Sequence, residues 1–167
     1  MGMFSFIKEA GEKLFGRGEA KAAQEAATAA PTPANIEALS NAAGDAIETY
    51  IRNMNLNVEA LDVKFDAPTG TVTVAGVAPD QATKEKVLLS CGNVASVSAV
   101  NDLMTVSSPA AASQMYTVVS GDNLSKISKQ FYGTPNKYTQ IFEANKPMLT
   151  HPDKIYPGQV LRIPPDA

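Results

Sequence analysis

The sequence is short of the residues on which many functions depend. Among its 167 residues there is one cysteine, Cys91, and one histidine, His151. A single cysteine excludes an intramolecular disulfide and any cysteine-rich metal cluster, so Cys91 is read as a small buried apolar residue. His151 stands between Thr150 and Pro152 in a polar stretch, the setting of a surface residue rather than a general base. No Ser/His/Asp arrangement, phosphate loop or zinc spacing accompanies it, and enzymatic activity is not expected. Asp62, Asp66, Asp80 and Asp102 are scattered at expected strand ends and turns, as caps and solvated charges are, and do not gather into a calcium cage.

Long apolar runs and clustered positive charge are also missing. No stretch approaches the about 20 apolar residues of a membrane span. At the N-terminus, Lys8 and Glu9 cut short the run Phe4, Phe6, Ile7, and Lys13, Arg17 and Glu19 come after. A secretory signal needs basic residues first and then about 7–15 apolar ones, so none is expected. Gly2 opens something like a myristoylation motif, but Phe6 occupies the place of its Ser or Thr. Fourteen Lys and Arg oppose 17 Asp and Glu, a formal net charge of −3. Without a basic cluster, a nucleic-acid or anionic-membrane partner is disfavoured. The expected location is the cytoplasm.

What is present is enough apolar residue, 44% of the chain, for one domain or two small ones. Met3, Phe4, Phe6, Ile7, Leu14 and Phe15 fall mostly on one side of a helical projection. Residues 1–15 are therefore expected to hold a short amphipathic helix, weakened at Gly11 and docked on the next domain. Residues 16–33 contain no apolar side chain larger than alanine; part could be helical around Ala20–Ala30, but without anchors the segment reads as a tether.

Residues 34–106 alternate between two periods. Ile36, Leu39, Ala43, Ala46, Ile47, Tyr50 and Ile51 recur at helical spacing, whereas Leu61, Val63 and Phe65 alternate as in a strand. Asp66–Gly70 is turn chemistry before a second strand over Thr71–Val77. Asp80 or Thr83 can cap a helix ending near Cys91, where Gly92 and Asn93 stop it. Val94, Val97, Val100 and Leu103–Val106 supply a last strand region. The order is α-β-β-α-β, a small antiparallel-rich sheet with helices on one face. A polar linker, 107–114, separates it from residues 115–165. There a strand at Tyr116–Val119, helices anchored by Leu124, Ile127, Phe131 and by Tyr138, Ile141, Phe142, and a strand at Val160–Ile163 give β-α-α-β. The fold class is α+β in two small domains.

The motifs Tyr-Thr-Val-Val-Ser-Gly-Asp-Asn-Leu, Ile-Phe-Glu-Ala-Asn and Ile-Tyr-Pro-Gly-Gln-Val-Leu-Arg-Ile-Pro, in that order, make the last segment resemble a LysM domain. The middle segment resembles a BON domain in its element order and in Thr-Val-Thr-Val-Ala-Gly76. With the opening Phe-Ile-Lys-Glu-Ala-Gly-Glu-Lys-Leu, nearly the whole chain resembles the bacterial cytosolic potassium-binding protein family. That resemblance implies a cytoplasmic sensor of K+, with Rb+ or Cs+ accepted in its place and sodium held poorly; a monomer is expected. It implies main-chain oxygen ligands at Ile7, Ala10 and Glu12 and at Gly92, Val94 and Val97. The chemistry suits the ion: carbonyl dipoles can replace the water shell of a large monovalent cation, whereas carboxylates favour calcium or magnesium. A helix ending near Cys91 would add its unpaired carbonyls and its partly negative end. The competing expectation is a LysM protein of the cell envelope binding N-acetylglucosamine-containing glycan, in a groove between Gly121, Asp122, Asn123, Leu124 and Ile155, Tyr156, Pro157, Gly158. Asp122, Asn123 and Pro157-Gly158 serve equally well as a cap and a turn.

Overall fold

The first regular element is a strand. In the computed structural model, which describes residues 2–6, 11, 13–15 and 18–166, β1 (Gly2–Ser5) lies antiparallel to β4 (Ala99–Ser108), with Phe4 opposite Val100. Over these residues this corrects the helix expected within 1–15; positions 7–10 and 12 of that expectation lie outside the described residues. Phe4 and Phe6 pack against the core while Met3 and Ser5 face outward, which is the two-residue period of a strand. A short apolar run carries both periods, and the edge of β4 decides between them. Beyond it, Gly11 sits at a φ of +117°, outside the helical region, and Leu14 and Phe15 pack on the core.

Residues expected to form a bare tether contain α1 (Gly18–Ala29). Alanine favours helix, and its small side chain lets α1 pack closely against the next helix, with Ala20 buried. Proximity of backbones replaces the missing large anchors. The Thr32 side chain accepts the Asn35 amide and starts α2 (Pro33–Arg52), whose Ala43, Ile47 and Ile51 are buried. Then come β2 (Glu59–Asp66), β3 (Thr71–Asp80) and α3 (Gln81–Gly92) before β4, the α-β-β-α-β order read from the sequence.

The four strands line up as β1-β4-β3-β2; the outer pairs are antiparallel, and β3 and β4 are parallel. Parallel neighbours need a crossover, which α3 provides. Leu61, Val63 and Phe65, Val72, Val74 and Ala78, and Val100 and Met104 turn one sheet face to a shared apolar core with the helices. Asp102 is buried on that same face. Lys84 pairs with it at 3.0 Å and the Met104 amide donates to it at 2.9 Å, so the carboxylate is compensated.

A second sheet joins β5 (Gln114–Thr117) to β6 (Val160–Ile163), antiparallel, with α4 (Leu124–Tyr132), a single turn at Pro135–Lys137 and α5 (Tyr138–Ala144) between them. Leu124, Ile127, Ile141, Leu149 and Leu161 form its own apolar core. Asn123 accepts the Lys126 amide at 2.8 Å and caps α4. The stretch expected as a linker from 107 is partly strand, because β4 runs on to Ser108 and β5 begins at Gln114. Among the described residues, no helix is long and apolar enough to cross a membrane.

Candidate functional site

Three parts of the chain meet where α3 ends. The helix stops at Gly92, and the Asn93 amide closes its last turn on the Leu89 carbonyl at 2.8 Å. The loop then doubles back: the Val97 amide donates to the Val94 carbonyl at 3.1 Å, and Ser96 takes a φ of +84°. Val94 and Val97 are fully buried and anchor the loop in the core. Beyond them the Ser98 amide donates to the Gly70 carbonyl at 2.8 Å, and its hydroxyl to the Thr69 carbonyl at 2.8 Å. The backbone path from residue 92 to residue 98 is thus fixed at both ends. A carbonyl oxygen has two lone pairs, so Val94 retains accepting capacity beside its Val97 hydrogen bond.

The N-terminal segment lies directly on this loop. The Phe6 amide donates to the Ser98 carbonyl at 2.9 Å. The Phe6 ring covers Gly92 so closely that a Cβ on Gly92 would stand 2.0 Å from a ring carbon. Gly11 approaches from the other flank, where a Cβ would lie 2.2 Å from the Asn93 oxygen and 3.0 Å from the Ala95 nitrogen. Glycine is required at 11 twice over, by this contact and by its positive φ.

The C-terminal sheet meets the same loop from the opposite side. The Asn93 side chain donates to the Val160 carbonyl at 2.7 Å and accepts the Val160 amide at 2.8 Å, while its amide nitrogen lies 3.3 Å from the Met148 sulfur. Asn145 binds Arg162 in the same two-point manner, accepting its amide at 2.9 Å and donating to its carbonyl at 3.0 Å. Two asparagines therefore occupy the hydrogen-bonding edge of β6 as a neighbouring strand would. At the start of α3, Glu85 receives the Arg162 guanidinium at 2.9 Å, both side chains being buried. Burial opposes ionisation of Glu85, but hydrogen bonds from Gln81, Ser113 and Arg162 outweigh it and hold the carboxyl below its ordinary range. Arg162 also donates to the Ser113 hydroxyl at 3.0 Å, which ties down the segment between the two sheets.

Of the residues expected to ligate an ion, Gly92, Val94 and Val97 lie on this loop; Ile7, Ala10 and Glu12 fall outside the described residues. The residues that build the junction around them, Phe6, Gly11 and Asn93, carry signals the sequence offers only for other roles. Gly11 reads as a weak point in a helix and Asn93 as a helix stop. Among the described residues no group of three or more His, Cys, Asp or Glu is placed to hold a metal ion. Burial pushes the Cys91 thiol up, away from the reactive thiolate.

Two of the residues expected in a glycan groove, Asn123 and Leu124, border a depression beside α4. It measures about 510 Å³ and is lined otherwise by Ser125, Tyr138, His151, Pro152 and Asp153 rather than by Ile155, Tyr156, Pro157 and Gly158. Asp122 is engaged in the fold itself, accepting the Tyr116 hydroxyl at 2.5 Å and the Val119 amide at 3.0 Å. The Gly158 amide donates to the Val118 carbonyl at 2.8 Å, as a turn residue does.

Comparison with known proteins gives two kinds of match. The LysM domain model matches residues 116–164, from the second half of β5 to just past β6. Over 164 residues the chain is 43% identical to the potassium binding protein Kbp of Escherichia coli O6:H1, spanning 98% of this chain and 99% of that protein. A segment of 50 residues is 48% identical to an uncharacterized protein of Deinococcus radiodurans, 30% of this chain and 19% of that one.

Proposed function

Since the chain belongs to the family of the potassium binding protein Kbp, we propose that it binds potassium where its N-terminal segment meets the loop after α3. In this reading the carbonyl oxygens of Gly92, Val94 and Val97, together with those of Ile7, Ala10 and Glu12, are the ligands of one dehydrated cation. Rubidium and caesium substitute for it, and sodium is too small for the fixed backbone path to close around. The observation that carries the reading is the seating of Phe6 and Gly11, which flank Ile7 and Ala10 in the chain and precede Glu12, against Gly92 and Asn93 of the loop. Two further features favour a cation there. The C-terminal end of α3 presents its partly negative pole to the loop, and the loop's backbone is held from both sides.

The same reading assigns the protein to the cytoplasm as a non-enzymatic sensor, with a BON-like unit over 34–106, a LysM-like unit over 115–165, and an ion that favours their compact arrangement. A ligand shifts a conformational equilibrium only by its difference in affinity for the two states. Isothermal calorimetry of the full chain in a sodium-free, potassium-free buffer tests the site. Saturable heat with potassium and rubidium, and little with sodium, is expected; no potassium heat would remove the proposal.

A further inference from the structure

We infer that Asn93 is the residue through which ion occupancy of the junction reaches the C-terminal sheet, and that the Glu85–Arg162 pair holds the two halves together without regard to the ion. The inference rests on the junction being the ion site and goes on to its regulation. It starts from the two directions in which one residue is engaged. The Asn93 main chain stands between Gly92 and Val94, two proposed ligands, and its carbonyl is in contact with Gly11 of the N-terminal segment. Its side chain leaves on the other side and takes both main-chain polar groups of Val160, at 2.7 and 2.8 Å, in a buried setting. A change in the peptide groups at residues 92–94 therefore moves a side chain already paired with β6.

Geometry makes this link demanding. The primary amide must offer its oxygen to the Val160 N–H and its nitrogen to the Val160 C=O at once, so a rotation of the Asn93 backbone breaks both bonds together. Two buried main-chain groups would then be left unpaired, which makes the contact closer to all-or-none than graded. Glu85 is different. It lies near the opposite end of α3, and its partners Gln81, Ser113 and Arg162 include no residue of the loop. None of these hydrogen bonds reaches the described part of the N-terminal segment, so the cluster contributes to docking in either ionic state. Coupling between an effector site and a second contact is reciprocal: if potassium strengthens the Asn93–Val160 contact, that contact strengthens potassium binding by the same factor.

Small-angle scattering and calorimetry on the full chain, with and without saturating potassium chloride, test the assignment. The wild type is expected to contract on adding potassium. Asn93→Ala should bind potassium about tenfold more weakly, a typical coupling factor, and should no longer contract. Glu85→Gln should still contract at saturating potassium, from a more open starting state. Asn93→Asp keeps the shape but places an acceptor against the Val160 carbonyl, and it decides the matter by contraction alone should Asn93→Ala fail to give a cooperative melt. Contraction of either Asn93 variant equal to that of the wild type would overturn the inference. So would complete loss of potassium heat in Asn93→Ala, which would put the residue in the ion site rather than in the relay. A wild type that takes up no potassium sinks the site itself, and is told apart by needing no variant.

Discussion

Gly11 stands against the Asn93 carbonyl with no space for a side chain between them. The contact ties the described part of the N-terminal segment to the loop after α3 and fixes where that segment can sit. Gly11→Ala would force a Cβ to 2.2 Å from the Asn93 oxygen, on a backbone at φ +117° that alanine rarely adopts. Strain of that kind costs about 1–3 kcal/mol, or roughly a tenfold to hundredfold effect. Potassium affinity is expected to fall by about that factor while the thermal melt stays near that of the wild type. Unchanged affinity by calorimetry would separate the N-terminal segment from the site.

Gly92→Ala approaches the same junction from the other side. Its Cβ would stand 2.0 Å from a carbon of the Phe6 ring, and with α3 fixed in the core the ring must give way. Removing the half-buried Phe6 from its place costs on the order of 1–2 kcal/mol of apolar burial. Hydrogen exchange at the β1 amides should accelerate while β2 and β3 keep their protection. Equal protection of β1 in variant and wild type would show that the ring has another place to go.

Glu12 distinguishes a carbonyl site from a carboxylate one. If its main-chain oxygen is the ligand, Glu12→Gln keeps that oxygen, and potassium affinity should change by no more than roughly a few-fold, within the about 1.4 kcal/mol that a tenfold change represents. If the carboxylate were the ligand, loss of its charge would lower affinity far more and would shift selectivity away from divalent ions. Calorimetry of this one variant with potassium and with calcium separates the two.

The buried Glu85–Arg162 pair makes a prediction about acid. The folded-state pKa of Glu85 is depressed below its ordinary value of 4.5. The pair's stabilisation is therefore fully present above about pH 4.5, and it is lost as pH falls through the lower folded value. The melting temperature of the wild type should drop across that acid window, and Glu85→Gln should flatten the drop. Glu85→Ala leaves the Arg162 charge buried and uncompensated, at a cost of about 3–5 kcal/mol at neutral pH. Thermal melts from neutral pH down through that acid window check both statements.

Much of this architecture can be read from side-chain spacing. The alternation of Leu61, Val63 and Phe65, the helical recurrence from Ile36 to Ile51, and the caps Asp80 and Asn123 are local signals, and local physics decides them. Three features are not local. Met3–Phe6 satisfies a helical and a strand period alike, and the edge of β4, distant in sequence, chooses the strand. Residues 18–29 have no large apolar side chain to reveal their docking, because alanine packs by letting backbones come close. Asn93 has the composition of a helix stop, and only the folded chain brings Val160 to its side chain. The six residues that the family resemblance assigns to the ion come from that resemblance alone, since a carbonyl ligand leaves no trace in residue type.

Both halves of the molecule lean on α3. Val87 and Leu88 turn one side of this 12-residue helix into the core of the four-stranded sheet, while Glu85 and the Asn93 cap engage β6 of the other sheet. The helix is a party wall, and neither half can melt without stripping it of support. Heating should accordingly produce a single calorimetric transition, despite two separate apolar centres.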